Sequence, residues 1–155
     1  YGELLIEKQK LRFHYAISEK QLAIAYQKAK MGTGLTHEKL FRSLEQRLDA
    51  MVYRAGFTPT IFAAKQIVNH GHILVNGHKV NIPSYSVKQG DVITVRSQSS
   101  QLEMFKALRE GTTVVTPKWL TFDAANLTGT VVALPAREDV DFEPQMQMIV
   151  EFYSR

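Results

Sequence analysis

The chain has 155 residues, of which 45% are hydrophobic, with no cysteine and a formal net charge of +4 at pH 7. That length allows one domain or two small ones with a real core. The absence of cysteine excludes thiolate catalysis and cysteine-ligated zinc, and no apolar run approaches the ~20 residues of a membrane-spanning helix.

Positive charge is concentrated in the middle of the chain. Residues 47–96 carry six lysines and arginines against two acids, whereas residues 97–155 carry five against eight. A clustered basic face attracts a polyanion, most often a nucleic acid. The alternative is a solvated face on an ordinary domain, and charge alone does not separate the two.

The first third of the chain has helical periodicity. Apolar residues at helical spacing predict a helix over residues 3–15. Ser18 and Gln21 fit a capping box that opens a second helix, which ends near Lys30. Residues 31–35 contain two glycines and break the pattern.

A third, longer helix is predicted over residues 36–56, because one apolar stripe continues along it and a glycine ends it. On such a helix Arg47 and Arg54 lie two turns apart and project from nearly the same side. The alternative is that these arginines are solvated or pair with Glu45 and Asp49.

A short helix and a β-hairpin are predicted next. The helix covers residues 60–69 and keeps Lys65 on its outer side. Asn76 and Gly77 tolerate positive φ at both central positions of a two-residue turn, which predicts a hairpin between the flanking apolar runs. The expected cross-strand pairs are Val75 with His78, Leu74 with Lys79, Ile73 with Val80 and His72 with Asn81.

A second turn at residues 88–91 leads to a predicted strand over residues 92–95. The order helix, turn, helix, hairpin is expected to bring several cationic side chains close together through short connections. These side chains are Arg47, Arg54, Lys65, His72 and Lys79.

The last third of the chain is less distinctive. Residues 130–134 and 148–153 are interpreted as apolar strand or core segments, and Trp119 as a core residue. Residues 138–143 form an acidic loop that is poorly suited to phosphate contact and better suited to a basic neighbouring protein.

Three segments resemble a known RNA-binding module. RLDAMVYRAGF (residues 47–57), QIVNHGHILVNGHKVNIPSY (residues 66–85) and GDVITV (residues 90–95) are similar to the module named after small-subunit ribosomal protein S-four. The module is also appended to pseudouridine synthases, some tyrosyl-tRNA synthetases and a heat-shock ribosome-binding protein. By itself it therefore implies RNA binding only.

The flanking segments resemble the ribosomal S-four family itself, of bacterial or organellar type. EKQKLRFHYAISEKQL (residues 7–22) is similar to the helical segment before the module, and PKWLTFD (residues 117–123) and IVEFYSR (residues 149–155) to the family's C-terminal part. The chain starts at Tyr1 rather than a methionine, so we expect that it lacks the family's N-terminal segment.

The resemblance implies an α+β fold in which a helical domain carries an inserted RNA-binding module. The helical domain would cover residues 1–47 and be rejoined by about residues 136–155. The module would cover residues 48–135, with a helix-turn-helix followed by a β-hairpin and a small antiparallel sheet, and its RNA-binding core would lie at residues 47–96.

The resemblance also implies the function. The protein would be a structural constituent of the small ribosomal subunit that binds small-subunit ribosomal RNA at a multi-helix junction early in assembly and takes part in translation. It would contact neighbouring small-subunit ribosomal proteins in the cytoplasmic ribosome of a bacterium or in an organellar ribosome. No membrane, small-molecule substrate, cofactor or metal is expected.

The expected binding residues are basic groups for phosphates, together with amides, hydroxyls and one aromatic ring for RNA shape and 2′-hydroxyls. They are Lys10, Arg12, Lys20, Arg47, Arg54, Lys65, His70, His72, Asn76, Lys79, Ser84, Tyr85 and Lys88. Tyr85 either stacks on a base or ribose or packs in the core. Family members usually have arginines at the positions of Ile61 and Lys65, which predicts weaker phosphate contact there and excludes Ile61.

Other classes of protein are also considered. An RNA-modifying or ribosome-rescue protein could carry the module, but the chain leaves no room for a second catalytic domain and contains no Gly-rich phosphate loop or nucleophile elbow. His70, His72 and His78 lack the further ligands of a metal site. A basic protein–protein adaptor would grip an acidic partner instead of RNA. We expect the chain not to be an enzyme.

Overall fold

The computed structural model of the chain describes residues 1–111 and 115–155. Contacts divide the chain into two units, which we name the helical unit (residues 1–45 and 135–155) and the sheet unit (residues 46–134). The predicted α+β fold class is confirmed, because both units contain helices and the sheet unit holds a small antiparallel sheet.

The helices are α1 (Gly2–Tyr15), α2 (Glu19–Ala29), α3 (Thr36–Glu45), α4 (Leu48–Ala55), α5 (Ile61–Asn69), α6 (Glu103–Arg109) and α7 (Met146–Ser154), and a 3-10 helix covers Arg137–Asp139. The strands are β1 (Ile73–Val75), β2 (His78–Lys79), β3 (Val92–Val95), β4 (Leu120–Asp123) and β5 (Thr128–Val131). The strand order is β2-β1-β3-β5-β4, and all neighbours are antiparallel.

The helical unit joins the two ends of the chain. Its predicted capping box is confirmed, because the Ser18 hydroxyl accepts the Gln21 N–H at 3.1 Å and the Gln21 side chain accepts the Ser18 N–H at 2.9 Å. Helix α7 packs against α1, α2 and α3. Leu11, Leu22 and Ile149 are fully buried, so the core of this unit is shared by residues far apart in sequence.

Of the two interpretations of residues 148–153, strand or core segment, the strand is wrong. These residues belong to helix α7, in which Met146 and Ile149 lie one turn apart and are both buried. A short apolar run does not have enough periods to distinguish a helix from a buried strand. Residues 130–134, by contrast, do contain the end of strand β5.

The continuous helix predicted over residues 36–56 is also wrong, because α3 ends at Glu45 and α4 begins at Leu48. Between them Arg47 has an extended backbone, with φ −60° and ψ 143°. The Val87 N–H donates to the Gln46 carbonyl at 2.7 Å, and the Leu48 N–H donates to the Tyr85 carbonyl at 2.8 Å. These tertiary hydrogen bonds replace intrahelical ones at the break. The apolar spacing continues across it, so the sequence pattern alone does not reveal that the helix is interrupted.

The break changes the relation between two predicted binding residues. Arg47 occupies the N-cap position of α4, whereas Arg54 lies in the last turn of that helix. The sequence predicted that the two arginines project from nearly the same side of one continuous helix. This prediction is wrong, because Arg47 lies outside the helix that contains Arg54. The predicted stop is confirmed, because Gly56 caps α4 in the left-handed conformation with φ 101°.

The predicted hairpin is confirmed in its register, with Val75 opposite His78. Asn76 and Gly77 have φ of 51° and 82°, the left-handed values that this two-residue turn requires. The strands are shorter than predicted, since β2 ends at Lys79. Strand β1 pairs on its other side with β3, which continues the sheet.

The core of the sheet unit lies between this sheet and the helices α4 and α5. Leu48, Ala64, Val68, Ile73 and Ile93 are all fully buried. Trp119 is fully buried as well, which confirms its interpretation as a core residue. Ile61, which the sequence excluded from RNA contact, is 8% exposed, and its side chain belongs to the core.

Candidate nucleic-acid interface

A buried carboxylate organises two of the predicted cations at the start of α4. Asp49 accepts two hydrogen bonds from Arg47, from Nε at 3.1 Å and from Nη2 at 3.0 Å. Lys65 Nζ on α5 lies 2.5 Å from Asp49 Oδ2. We name these three residues the Asp49 cluster. The sequence analysis considered that Arg47 could be solvated or could pair with a neighbouring acid, and the structure shows that it pairs with Asp49.

The Asp49 cluster is largely buried. The Asp49 side chain is 1% exposed, and those of Arg47 and Lys65 are 11% and 19% exposed. A buried carboxylate requires compensation, which the two cations and the Ala50 N–H at 2.7 Å supply. The cluster retains one positive charge in excess. Within the described residues, Arg47 Nη1 has no hydrogen-bond acceptor.

The loop over residues 83–86 lies against the start of α4 and places two further candidates beside the Asp49 cluster. The Asp49 N–H donates to the Pro83 carbonyl at 3.1 Å. Arg47 forms an isolated antiparallel bridge with Ser86. Ser84 is exposed and Tyr85 is 40% exposed. Tyr85 is therefore not a core residue, and its ring is accessible for stacking.

A second group of candidates lies where α5 meets the hairpin. His70 is the C-cap residue of α5, and its ring centroid lies 6.1 Å from that of His72. Gly71 has φ 78°, and a Cβ at this position would come within 2.5 Å of Lys79 Cε. The Lys79 stem therefore covers Gly71, and the absence of a side chain at Gly71 leaves room for it.

His72 differs from the other candidates in its electrostatics. Its Nδ1 lies 2.6 Å from the hydroxyl of buried Ser99. Burial lowers the pKa of His72 below its ordinary value, and the charges of Arg96 and His70 lower it further. The imidazole is therefore neutral near pH 7 and suited to hydrogen bonding rather than to phosphate neutralisation.

Near the hairpin tip, Asn76 and Lys88 both donate a hydrogen bond to the carboxylate of Asp91. The Asn76 amide donates to Asp91 Oδ1 at 2.9 Å, and its oxygen accepts the Val92 N–H at 2.9 Å. The Lys88 N–H donates to Asp91 Oδ2 at 2.8 Å, and its side chain is exposed. Asn76 thus fixes the turn with both ends of its amide, while the Lys88 ammonium remains at the surface.

Three candidates belong to the helical unit and are described by themselves. Lys10 Nζ lies 3.0 Å from Glu7 Oε2, and the hydrogen bond to Glu7 raises the pKa of Lys10. Arg12 donates to Gln9 at 2.8 Å and to Glu19 at 3.3 Å. The third candidate, Lys20 on α2, is exposed.

Sequence reasoning missed the organising role of Asp49. The Arg-Leu-Asp spacing suggests an ion pair with Arg47, but Lys65 is sixteen residues further along, and no local pattern links it to Asp49. It also missed Arg96, whose Nε lies 3.4 Å from the Ser99 hydroxyl that faces His72. Both omissions concern contacts that exist only after the chain has folded.

Among residues 1–111 and 115–155, no three or more histidine, aspartate or glutamate side chains come together as a possible metal site. No helix in this part of the chain combines the length and apolar character needed to cross a bilayer.

A helix pair and an Asn-Gly hairpin, with exposed Lys79 and Lys88, lie in one small unit, and family comparison identifies this unit as an RNA-binding class of module. Residues 46–93 match the model described as the S4 domain. Residues 1–45 match the model described as the ribosomal protein S4/S9 N-terminal domain. The two matches meet at the boundary between the helical unit and the sheet unit.

Whole-chain relatives identify the family more narrowly. The chain is 50% identical to small ribosomal subunit protein uS4 of Chloroflexus aurantiacus and 49% identical to that of Brevibacillus brevis, in each case over 100% of this chain and 77% of the relative. It is 47% identical to uS4A of Symbiobacterium thermophilum, over 75% of that protein. The chain belongs to the uS4 family of small ribosomal subunit proteins.

Proposed function

We propose that this chain is a non-catalytic, structural constituent of the small ribosomal subunit that binds small-subunit ribosomal RNA. Membership of the uS4 family supports the ribosomal role. The Asp49 cluster carries the structural argument, because it holds Arg47 and Lys65, whose side chains are partly exposed, in fixed positions within the S4 domain. Fixed cations bind an RNA of matching shape without first losing side-chain entropy.

The proposed target is a multi-helix junction of that RNA, bound early in assembly. A junction presents phosphates from several helices within a small volume, and the sheet unit offers cations on several elements. Arg47 lies at the start of α4, Lys65 on α5, Lys79 on β2 and Lys88 in the turn before β3. RNA helices are recognised mainly through shape, phosphates and 2′-hydroxyls, which suits this dispersed arrangement.

The same proposal assigns roles to the two units. Residues 47–96 form the RNA-binding core of a module inserted into the helical domain, and the helical domain supplies additional contacts through Lys10, Arg12 and Lys20. The division of the chain into residues 46–134 and the remainder supports this organisation. We further propose that the protein contacts neighbouring small-subunit proteins in a bacterial ribosome, since the relatives named above are bacterial.

Salt-dependent binding tests this function. If about five side chains each neutralise one phosphate, the plot of log K against log salt has a slope near −4. We expect this slope together with a clear preference for a small-subunit junction RNA over a random duplex of equal length. Equal affinity for both RNAs contradicts junction recognition, and binding to acidic protein but not to RNA favours a basic adaptor.

A module belonging to an RNA-modifying or ribosome-rescue protein is less well supported. Relatives with the uS4 name match the full length of this chain, including the segments on both sides of the S4 domain. If the chain shared only the S4 module with an unrelated enzyme, this would explain the match over residues 46–93 but not the matches on either side of it.

A further inference from the structure

The sheet unit carries a polar cluster on the face of its sheet that is turned away from α4 and α5, which we name the outer face. The Arg96 N–H donates to the His72 carbonyl at 2.8 Å, so these two residues lie opposite each other, one position beyond the β1–β3 pairing at Ile73. Ile73 is fully buried in the core, and side chains alternate along a strand, so His72 and Arg96 both project from the outer face. Lys79 pairs with Leu74 and therefore projects from the same face.

One buried hydroxyl joins Arg96 to His72. Ser99 is 2% exposed, its hydroxyl oxygen accepts a hydrogen bond from Arg96 Nε at 3.4 Å, and the same oxygen lies 2.6 Å from His72 Nδ1. A hydroxyl that accepts from a guanidinium still has its own hydrogen to donate, so His72 Nδ1 can accept it and Nε2 then carries the ring hydrogen. Within the described residues, neither His72 Nε2 nor the two terminal nitrogens of Arg96 has an acceptor. Three donor nitrogens on two partly exposed side chains are therefore left for a ligand.

The charges that act on His72 are positive. Burial lowers the pKa of His72, and the charges of Arg96 and His70 lower it further. Across residues 1–111 and 115–155, Arg96, His70 and Lys79 form no ion pair with a carboxylate. From α6 the ring meets only an apolar neighbour, fully buried Phe105, at 6.4 Å between ring centroids. A surface that carries several cations and no acid attracts an anion.

An RNA strand suits this cluster better than an acidic protein segment does. A phosphodiester has two unbridged oxygens, one for the Arg96 guanidinium and one for His72 Nε2. The RNA backbone repeats its negative charge at short, regular intervals, so the phosphates on either side can reach Lys79 and His70. The same unit matches the S4 domain over residues 46–93, and Arg96 lies just beyond that match.

We propose that Arg96 and His72 form a binding site for one RNA backbone phosphate on the outer face of the sheet, and that Ser99 positions both side chains. This inference rests on the proposed RNA binding by the sheet unit and deepens it, because it adds a cation and a positioning residue that the sequence did not reveal. An acidic protein segment is the competing occupant.

The salt dependence of junction-RNA binding by the full chain counts the phosphates that Arg96 neutralises. Arg96→Gln should make the slope of log K against log salt less negative by about 0.9, because one phosphate contact is lost. Arg96→Lys keeps the charge and should restore the slope. The matched control Lys28→Gln removes one positive charge from an exposed position on α2 in the helical unit, and it should leave the slope unchanged. A wild-type slope in Arg96→Gln, or an equal change in the control, would overturn the proposal.

Ser99→Ala separates positioning from charge. The substitution removes the hydroxyl that joins Arg96 to His72 but no charge. The affinity for the junction RNA should fall about threefold at an unchanged salt slope, because the same number of phosphates is contacted by less ordered side chains. An unchanged affinity would contradict the positioning role of Ser99.

Inorganic phosphate tests the site without RNA. The chain has five histidines, so the imidazole signals form a simple NMR spectrum. Phosphate at up to roughly 0.1 M, against chloride of equal ionic strength, should shift the His72 signal, should not shift that of His14, which packs against Tyr15 and Phe142, and should have little effect in Arg96→Gln.

The outcomes distinguish this inference from the proposed function. A phosphate-dependent His72 shift in a wild-type chain that does not bind junction RNA refutes the proposed function and leaves the phosphate site. Junction binding without the shift, and with a wild-type slope in Arg96→Gln, refutes the phosphate site alone. An oligoglutamate that depends on Arg96 and binds more tightly than an oligouridylate of equal length would favour an acidic protein and overturn the inference.

Discussion

The substitution Asp49→Asn tests whether RNA binding depends on the fixed positions of Arg47 and Lys65 or only on their positive charge. The substitution keeps the size of the side chain and an oxygen that can still accept the Ala50 N–H, which lies 2.7 Å from Asp49 Oδ1. It removes the negative charge shared by Arg47 and Lys65. The net charge of the protein becomes more positive by one, so simple electrostatics and preorganisation make opposite predictions for RNA binding.

The stability cost follows from the burial of the cluster. Breaking a fully buried ion pair by removing one partner costs roughly 3–5 kcal/mol. The Arg47 and Lys65 side chains are 11% and 19% exposed, so water can partly solvate the two cations. We therefore expect the free energy of unfolding to fall by about 2 kcal/mol, which lowers the melting temperature of a unit of this size by roughly 10 °C.

The RNA result distinguishes the two explanations. Affinity for a random duplex should stay the same or rise, because the chain gains a positive charge. Affinity for the junction RNA should fall, so that the ratio between them decreases about tenfold, which is roughly 1.4 kcal/mol of lost preorganisation. Both affinities are measured by filter binding well below the melting temperature.

The control is Glu110→Gln, which raises the net charge equally at an exposed position of the same unit. It should leave both the melting temperature and the selectivity unchanged. An Asp49→Asn variant that melts like the wild type and keeps its preference for the junction would refute the organising role of the cluster.

Three further substitutions follow from the site. Lys88→Ala should weaken junction binding about threefold to tenfold without changing the melting temperature, because its side chain is exposed; a lowered melting temperature would indicate a structural lysine. Asn76→Ala removes two hydrogen bonds and places alanine at φ 51°, so chemical denaturation should show a loss of about 1–3 kcal/mol, and an unchanged midpoint would contradict the hairpin account. The pKa of His72 is lowered in the folded protein, so its contribution to stability is fully present above the ordinary histidine pKa and decreases as the pH falls below it. Melting temperatures measured across this range should decrease less in His72→Gln, and identical pH profiles would exclude His72 as the cause.

Local signals explain what the sequence predicted correctly. The Asn76-Gly77 turn requires two positive φ values, which few residue pairs tolerate, so the hairpin and its register follow from two adjacent residues. The capping box at Ser18 and Gln21 also acts over three residues only. Each of these features is determined by a few residues that are close together in sequence, and the structure contains both of them.

The features that sequence reasoning missed depend on contacts made across the fold. The break between α3 and α4 exists because Gln46 and Leu48 bond to residues 85–87, some forty positions away. The same break places Arg47 beside Asp49 instead of on a shared face with Arg54. Alanine at Arg47 should therefore lower the melting temperature, because that substitution leaves a buried carboxylate without one of its partners.

The most direct test of the central claim is a hydroxyl-radical footprint of the full chain on small-subunit ribosomal RNA. We expect strong protection of backbone positions from several helices that meet at one junction, and weaker protection there with Asp49→Asn. Protection spread evenly along the RNA, or an unchanged pattern in the variant, would contradict junction recognition by a preorganised cationic surface.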